Sequence, residues 1–183
     1  MSGNPDFDPA ALQIRTAGDR DADRLALLGG ATFLESYAHL LPVTDILAHV
    51  ARQHAPGVYA RWLADPACGL WLAEHLPNAA PVGYVVATPP DLPMEGIDAQ
   101  RDWEIRRIYL LARFQGMGLG RSLMDLALEA ARAAGKRRVL LGVYSRNEAA
   151  LRFYRNMGFT TCGTRSFHVG ENDYHDFILE RAP

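Results

Sequence analysis

Apolar residues in this chain recur at two spacings, every second position in some segments and every third or fourth in others, and the two kinds of segment alternate. Leu12 to Thr16 reads as a short strand, and Asp19 to Leu41 as one or two helices interrupted near Gly29 and Gly30. Thr44 can cap a helix that runs through Gln53, and Pro56 can open another that stops before Pro66. Leu70 to His75 and Val82 to Thr88 predict a hairpin around Pro77 to Pro81. The proline-interrupted stretch from Pro89 through Gln100 cannot join a ladder and reads as a loop.

The second half is patterned more sharply. Trp103 to Leu111 is an apolar, β-branched strand with polar interruptions, and a glycine-rich loop follows it directly. Leu119, Leu123, Leu126, Ala127, Ala130 and Ala134 then recur at helical spacing until Gly135 ends the helix. Arg138 to Tyr144 is a strand of the buried type. Ser145 with Glu148 predicts a capping box for a helix through Met157, stopped by Gly158. Phe159 to Val169 and Tyr174 to Glu180 predict two closing strands around the turn Gly170-Glu171-Asn172-Asp173. The expected architecture is α/β, a mixed sheet with helices on its faces. It forms a single domain over residues 12–183 behind a flexible polar tail over 1–11.

The loop Gln115-Gly116-Met117-Gly118-Leu119-Gly120-Arg121 carries the first chemical signal. Glycines at 116, 118 and 120 let backbone N–H groups converge on an anion, and the helix that opens there adds its positive end. A Walker A loop would need Lys-Ser/Thr after its last glycine, whereas Arg121-Ser122 follows Gly120. A dinucleotide fingerprint would need Gly-x-Gly-x-x-Gly in a first βα unit, and this Gly-x-Gly-x-Gly lies two-thirds along the chain. A ligand-free strand-to-helix turn is the rival reading of the loop.

Composition fits a globular chain and removes several classes. With 183 residues and 49% hydrophobic content there is enough material for one sizeable core. A net charge of −2 gives no reason to expect nucleic acid or an anionic membrane as partner. Cys68 and Cys162 form neither a framework nor a C-x-x-C, which points to a reducing, cytoplasmic setting. The polar start fits a frayed tail better than a signal peptide, and no apolar run has transmembrane length. His49 and His54 are expected on different faces of one helix, His168 and His175 flank a hairpin turn, and no metal site is expected.

Two motifs at matching separation then resemble one family. Gln115-x-x-Gly118-x-Gly120 after a strand, followed by Asn147-x-x-Ala150-x-x-Phe153-Tyr154-x-x-x-Gly158-Phe159, is similar to the GNAT superfamily of acyl-CoA-dependent N-acetyltransferases. Finer stretches resemble the PaiA-type polyamine acetyltransferases. They are Glu104-Ile-Arg-Arg-Ile-Tyr109-Leu110, Phe114-Gln115-Gly116, Leu141-Gly142-Val143-Tyr144, and Phe167-His168-Val169-Gly170 followed by Asp176. The resemblance implies the GNAT fold: a mostly antiparallel seven-stranded sheet, splayed between strands 4 and 5, with helices on both faces. It also implies acetyl-CoA as cosubstrate, no metal, a small-molecule amine as partner, and a homodimer.

The same resemblance assigns roles. The N–H groups of Gln115 to Gly120, including Met117 and Leu119, would hold the coenzyme A pyrophosphate together with the following helix end, and Arg121 would add a charge-assisted contact. Ile108, Tyr109 and Leu110 would pair with the pantetheine arm, with the Leu110 N–H aimed at the thioester carbonyl. Asn147 would hydrogen-bond the pantetheine, with a plain helix-start asparagine as the rival reading. Tyr154 would be the general acid toward the leaving thiolate, against a core-aromatic reading. Glu104 would be the general base through water, against an anchoring or purely ion-paired role beside Arg106 or Arg107. Without a bulge, period 2 puts Glu104, Arg106, Ile108 and Leu110 on one face.

The acceptor is less constrained. Glu35, Asp91, Glu95 and Glu104 are the carboxylates available to a polyamine, and Tyr37, Trp71, Tyr84 and Trp103 are aromatic candidates for an acceptor cleft, with packing as their alternative. Acetylation of a protein N-terminus, a lysine or an antibiotic amine stays open, as does a non-catalytic acyl-CoA sensor module.

Overall fold

The computed structural model describes residues 11–169 and 172–183, with side chains described outside 167–174. Most of the expected tail over 1–11, the tip of the expected turn at Gly170-Glu171, and the side chains of Phe167, His168 and Val169 lie outside the described residues.

Strand β1 (Leu12–Thr16) leads into three helices, α1 (Ala22–Tyr37), α2 (Val43–Gln53) and α3 (Pro56–Ala64). Strands β2 (Gly69–His75), β3 (Ala80–Thr88) and β4 (Asp102–Leu110) follow. The chain closes with α4 (Leu119–Ala133), β5 (Arg138–Tyr144), α5 (Glu148–Asn156), β6 (Thr160–Val169) and β7 (Asn172–Arg181). The seven strands form one sheet in the order β1-β2-β3-β4-β5-β7-β6, as expected for a GNAT fold. Among the described residues only β4 and β5 pair in parallel.

Apolar side chains fill both faces. α4 lays Leu123, Met124, Ala127, Leu128 and Ala131 on one face, against Val85, Ile105, Val139 and Leu141. On the other, Leu25 and Leu28 of α1 and Tyr59 of α3 cover Leu70, Leu72, Tyr84 and Val86. Strands covered on both sides in this way read as nearly continuous apolar runs.

Three local expectations are corrected. Helix α1 is not interrupted at Gly29 and Gly30. A Cβ on Gly29 would collide with the Tyr59 hydroxyl and the His54 ring, and one on Gly30 would come within 3.2 Å of Val50. The two glycines mark close packing of α2 and α3 on α1, not a break. Thr44 does not cap α2, whose N-cap is Pro42 without a side-chain bond. Ser145 does not cap α5; it stands in the turn after β5, with its N–H donating to the His175 carbonyl at 2.9 Å. The cap is Asn147, whose Oδ1 accepts from the Ala150 N–H at 3.1 Å.

The feature that positions the site is a bulge in β4. Val86 faces Arg107 but Ala87 faces Ile105, so Arg106 is an extra residue. A bulge bends the strand that carries it. Pairing of β4 with β5 stops just before it, at Glu104 opposite Leu140, although both strands run on. Beyond that pair the two strands splay.

The bulge also corrects the face assignment. Ile108 and Leu110 join Trp103 and Ile105 on the α4 face, while Arg107 and Tyr109 turn to the α1–α3 side with Tyr59, Trp62 and Tyr84. Glu104 and Arg106 do not share a face with Ile108 and Leu110.

Candidate active site

The edge of β4 that faces the splay can be read from one bond. The Leu111 N–H donates to the Val82 carbonyl of β3 at 2.9 Å. Successive N–H groups of an extended chain point to opposite edges. The Leu110 N–H, and that of Ile108, therefore points away from β3 and into the splay. Leu110 is held there by Gly83 opposite it, since a Cβ on Gly83 would collide with the Leu110 side chain.

The glycine loop lies at the end of this edge. Gln115 ties loop to strand by donating from Nε2 to the Leu110 carbonyl at 3.2 Å. Gly116 (φ 78°) and Gly118 (φ 82°) are left-handed, and nothing lies within 4 Å of where a Cβ would stand on either. Gly118 is the N-cap of α4, which has no side-chain cap and no acidic residue in its first turn. The first-turn N–H groups of a helix have no partners within it and carry its positive end. Backbone N–H groups, open space and an exposed Arg121 fit a pyrophosphate. The Leu119 side chain is buried in the core, so only its backbone is available to a ligand, whereas Met117 is exposed.

Helix α5 brings Tyr154 up to the splay from the α4 side. Its ring packs edge-on against Phe153 and Phe159, at centroid distances of 5.3 and 5.8 Å. Burial, then the nearby Tyr109, raise its hydroxyl well above the ordinary tyrosine value. The hydroxyl therefore stays protonated through neutral pH. From the opposite face, the Tyr37 hydroxyl at the end of α1 lies within electrostatic reach of the Tyr109 hydroxyl. Tyr109 first, then burial, then Asp176 raise the Tyr37 hydroxyl as well, with Tyr154 also contributing. The hydroxyls of Tyr37, Tyr109 and Tyr154, from α1, β4 and α5, thus act on one another electrostatically. Of these, Tyr154 and Tyr37 were legible in the sequence as chemistry. The Tyr109 side chain was not, because the bulge decides which way it points.

Glu104 stands at the vertex of the splay and is 2% exposed. Its Oε2 accepts from the Asp91 N–H at 2.8 Å and from Arg106 Nη1 at 3.2 Å. Its partner is Arg106 and not Arg107, which donates to the Gln53 carbonyl instead. Asn147 is exposed, with its Oδ1 engaged in the cap.

The other candidates are dispersed. Trp71, Tyr84 and Trp103 are core residues; Tyr84 stacks on Tyr109 at a centroid distance of 6.0 Å, and Tyr37 acts on the Tyr109 hydroxyl from the end of α1. Glu35 accepts from the Ala112 N–H at 2.9 Å, and Asp91 pairs with Arg106 at 3.0 Å. His49 and His54 do meet, with ring centroids 5.6 Å apart, because the chain turns after Gln53 and folds His54 back on α2. Among the described residues no three His, Cys, Asp or Glu side chains gather as metal ligands.

A group that sequence reasoning missed is the pair Arg165–Asp176 on β6 and β7. Arg165 Nε and Nη2 both lie 3.1 Å from Asp176 Oδ2. The guanidinium lies over Gly142 of β5, where a Cβ would come within 2.5 Å of Nη2. A lone glycine inside an apolar strand is the signal that could have revealed the close approach. Burial raises the Asp176 carboxyl, against the opposing pull of Arg165.

Comparison with known proteins agrees with this geometry. The model of the acetyltransferase (GNAT) family matches residues 35–159, which hold the splay, the loop and α5. An uncharacterized N-acetyltransferase of Mycobacterium tuberculosis is 32% identical over 161 residues, or 88% of this chain and 97% of that one. The structure of the PaiA N-acetyltransferase from Thermoplasma acidophilum in complex with coenzyme A superposes with a TM-score of 0.71 at 15% identity. That match covers 94% of this chain and 99% of the other. A ribosomal-protein-alanine N-acetyltransferase from Brucella melitensis reaches 0.65 at 20% identity, over 93% and 99% of the two chains. At these identities the likeness shows the fold, and the fold does not choose among acceptors. With its splayed sheet, glycine loop and a family match across most of its length, the chain belongs to the GNAT family of acetyltransferases.

Proposed function

We propose that this acetyltransferase moves an acetyl group from acetyl-CoA directly to a small primary amine within a ternary complex. The observation that carries the reading is the Leu110 N–H, turned into the splay at one end of the glycine loop. Acetyl-CoA supplies the acetyl group as a thioester.

The N–H groups of Gly116 to Gly120, with Arg121, grip the pyrophosphate, the Gln115 N–H being bonded to the Ala112 carbonyl at 3.2 Å, and the Ile108 to Leu110 edge receives the pantetheine arm as an added strand. Since the Asn147 Oδ1 is engaged by Ala150, that side chain serves pantetheine as a donor through Nδ2. The Leu110 N–H steadies the carbonyl oxygen as negative charge grows on it. Tyr154 gives its proton to the departing sulfur. The acceptor nitrogen bonds the acetyl carbon and the carbon–sulfur bond breaks. The nitrogen sheds one proton to solvent and a second that restores Tyr154. We assign Glu104 to positioning, because its carboxylate is committed to Arg106 and the Asp91 N–H at the bulge.

A polyamine would need several carboxylates turned to the cleft. Glu35, Asp91 and Glu104 are engaged elsewhere, which supports a compact amine over a polyamine. Among the described residues no helix is long and apolar enough to cross a membrane, and we place the reaction in the cytoplasm.

Thiol release from acetyl-CoA, measured against spermidine, spermine, amino acids and aminoglycosides, tests the reading. Release with at least one small primary amine is expected. Tight acetyl-CoA binding without release by any amine would instead identify a sensor module.

A further inference from the structure

The end of the sheet away from the splay holds an open cavity of about 610 Å³, whose walls include Arg137, Arg138, Arg181, Gly158, Thr160 and Glu180. That volume lies in the range of small-molecule sites. Arg138 stands opposite Asp102 at the start of β4 and β5, where the two strands still pair. Leu110 and the glycine loop lie at the other end of β4, roughly 25 Å away at the rise of an extended chain. The cavity is therefore no part of the coenzyme A site.

Two of its three guanidiniums are neutralised in place. Arg137 Nε donates to Asp102 Oδ1 at 2.6 Å, and Arg138 Nη1 donates to Glu180 Oε2 at 2.8 Å. Arg181 has carbonyl partners instead. Its Nε donates to Ala182 O at 2.8 Å and its Nη1 to the Met157 carbonyl, with its Cζ 5.8 Å from the Phe159 ring centroid. Among the described residues no carboxylate pairs with Arg181, so three arginines against Asp102 and Glu180 leave one positive charge uncompensated.

Each guanidinium also keeps N–H groups that no protein acceptor takes. Arg137 Nη1 and Arg181 Nη2 make no hydrogen bond among the described residues. Arg138 Nη1 and Nη2 give one bond each, to Glu180 and to the Gly96 carbonyl, and each nitrogen carries a second N–H. The bonds already made hold the forks in place. Gly96 O, for example, accepts from Arg137 Nη2 and from Arg138 Nη2, both at 2.7 Å. A guest meets oriented donors and loses little to side-chain ordering.

Surplus positive charge and several open N–H donors around one space match an oxyanion. A phosphate group presents three acceptor oxygens, one for each arginine, and about −1.5 to −2 charges at neutral pH. A carboxylate would balance the surplus charge but has two oxygens for three arginines. We propose that this cavity is a second anion site that takes a phosphate group, free or carried on a small metabolite, independently of acetyl-CoA.

The glycine loop is itself suited to phosphate, so the test is run with that loop filled by saturating coenzyme A. Unfolding temperature and amide-resolved NMR are followed as inorganic phosphate, glycerol phosphate or acetate is added at constant ionic strength. Phosphate at roughly five times its dissociation constant should raise the unfolding temperature by about 2–4 °C, and the rise should saturate. Amide shifts should centre on Gly158, Thr160 and residues 180–182. Acetate should produce neither effect. Tighter binding of the ester would assign the site to a phosphorylated metabolite, and equal binding would assign it to free phosphate.

Arg181→Gln should weaken phosphate binding at least tenfold. Thr160→Glu, which keeps all three arginines and adds a carboxylate at the wall, should do the same. Where a variant is destabilised, the shift map of the wild-type protein still decides. A rise that does not saturate and persists in both variants is the general effect of an excluded salt. That result, saturable shifts centred elsewhere, or acetate binding as tightly as phosphate would overturn the proposal. If coenzyme A does not bind, the acetyl-transfer reading fails, and phosphate titration of the free protein and of the two variants still decides this site.

Discussion

Arg107 of β4 donates from its guanidinium to the Gln53 carbonyl at the end of α2, at 2.6 Å. The same guanidinium lies over two rings of α3, 5.1 Å from the Tyr59 centroid and 4.8 Å from that of Trp62. One side chain on the strand that lines the splay thus anchors the corner where two helices meet. Arg107→Met should keep the aliphatic packing and lose the bond and the ring contacts. A loss of roughly 2–3 kcal/mol in chemical denaturation is expected. An unchanged midpoint would show that the corner holds without Arg107.

The histidines beside that corner predict a pH dependence of stability. Burial first, then Arg107 and His49, lower His54 to about 3. Burial, then Arg107 and Arg52, lower His49 to about 4. In the unfolded chain both titrate near 6.5, so between that value and the folded ones the unfolded state binds more protons. Their contribution is complete above about pH 6.5 and falls as pH drops, by up to about 1.4 kcal/mol per pH unit for each histidine. Denaturation midpoints between pH 7.5 and 5 should show the fall, and His54→Gln should flatten it. A flat wild-type profile would refute the assignment.

Tyr154→Phe removes only the hydroxyl from a ring otherwise held by Phe153 and Phe159. As the acid for the leaving thiol, it should cost about a hundredfold or more in kcat while leaving acetyl-CoA affinity near the wild-type value. An unchanged kcat would return Tyr154 to the core.

Glu104 invites a sharper comparison. Its removal from Arg106 breaks a pair with one partner almost fully buried, so Glu104→Gln should lower stability. If Glu104 only positions the bulge, the surviving activity keeps the shape of its pH–rate profile. Loss of the acidic limb in kcat/KM would restore Glu104 as the base.

Much of this was legible in the sequence, for physical reasons that also mark where legibility ended. The strands from Trp103 onward, the glycine loop and α5 follow from local spacing and backbone demands at Gly116, Gly118, Gly135 and Gly158. The helix break expected at Gly29 failed because a glycine can mark either a break or a close approach, and only the positions of Tyr59 and His54 tell which. The bulge at Arg106 has no local signature, yet it decides that Tyr109 faces Tyr37 and that Glu104 parts from Leu110. The Arg165–Asp176 pair depends on register between two strands of the closing hairpin, which spacing alone does not set.

The central claim is that acetyl-CoA lies along the Ile108 to Leu110 edge with its pyrophosphate on the loop before α4. An amide-resolved NMR titration of the protein with acetyl-CoA tests it directly. The largest shifts should fall on the N–H groups of Ile108 and Leu110 and of residues 116–121, with little change at Leu111, whose N–H is already bonded to Val82. Saturable binding that leaves the Leu110 and loop amides unmoved, and shifts another surface instead, would contradict the account.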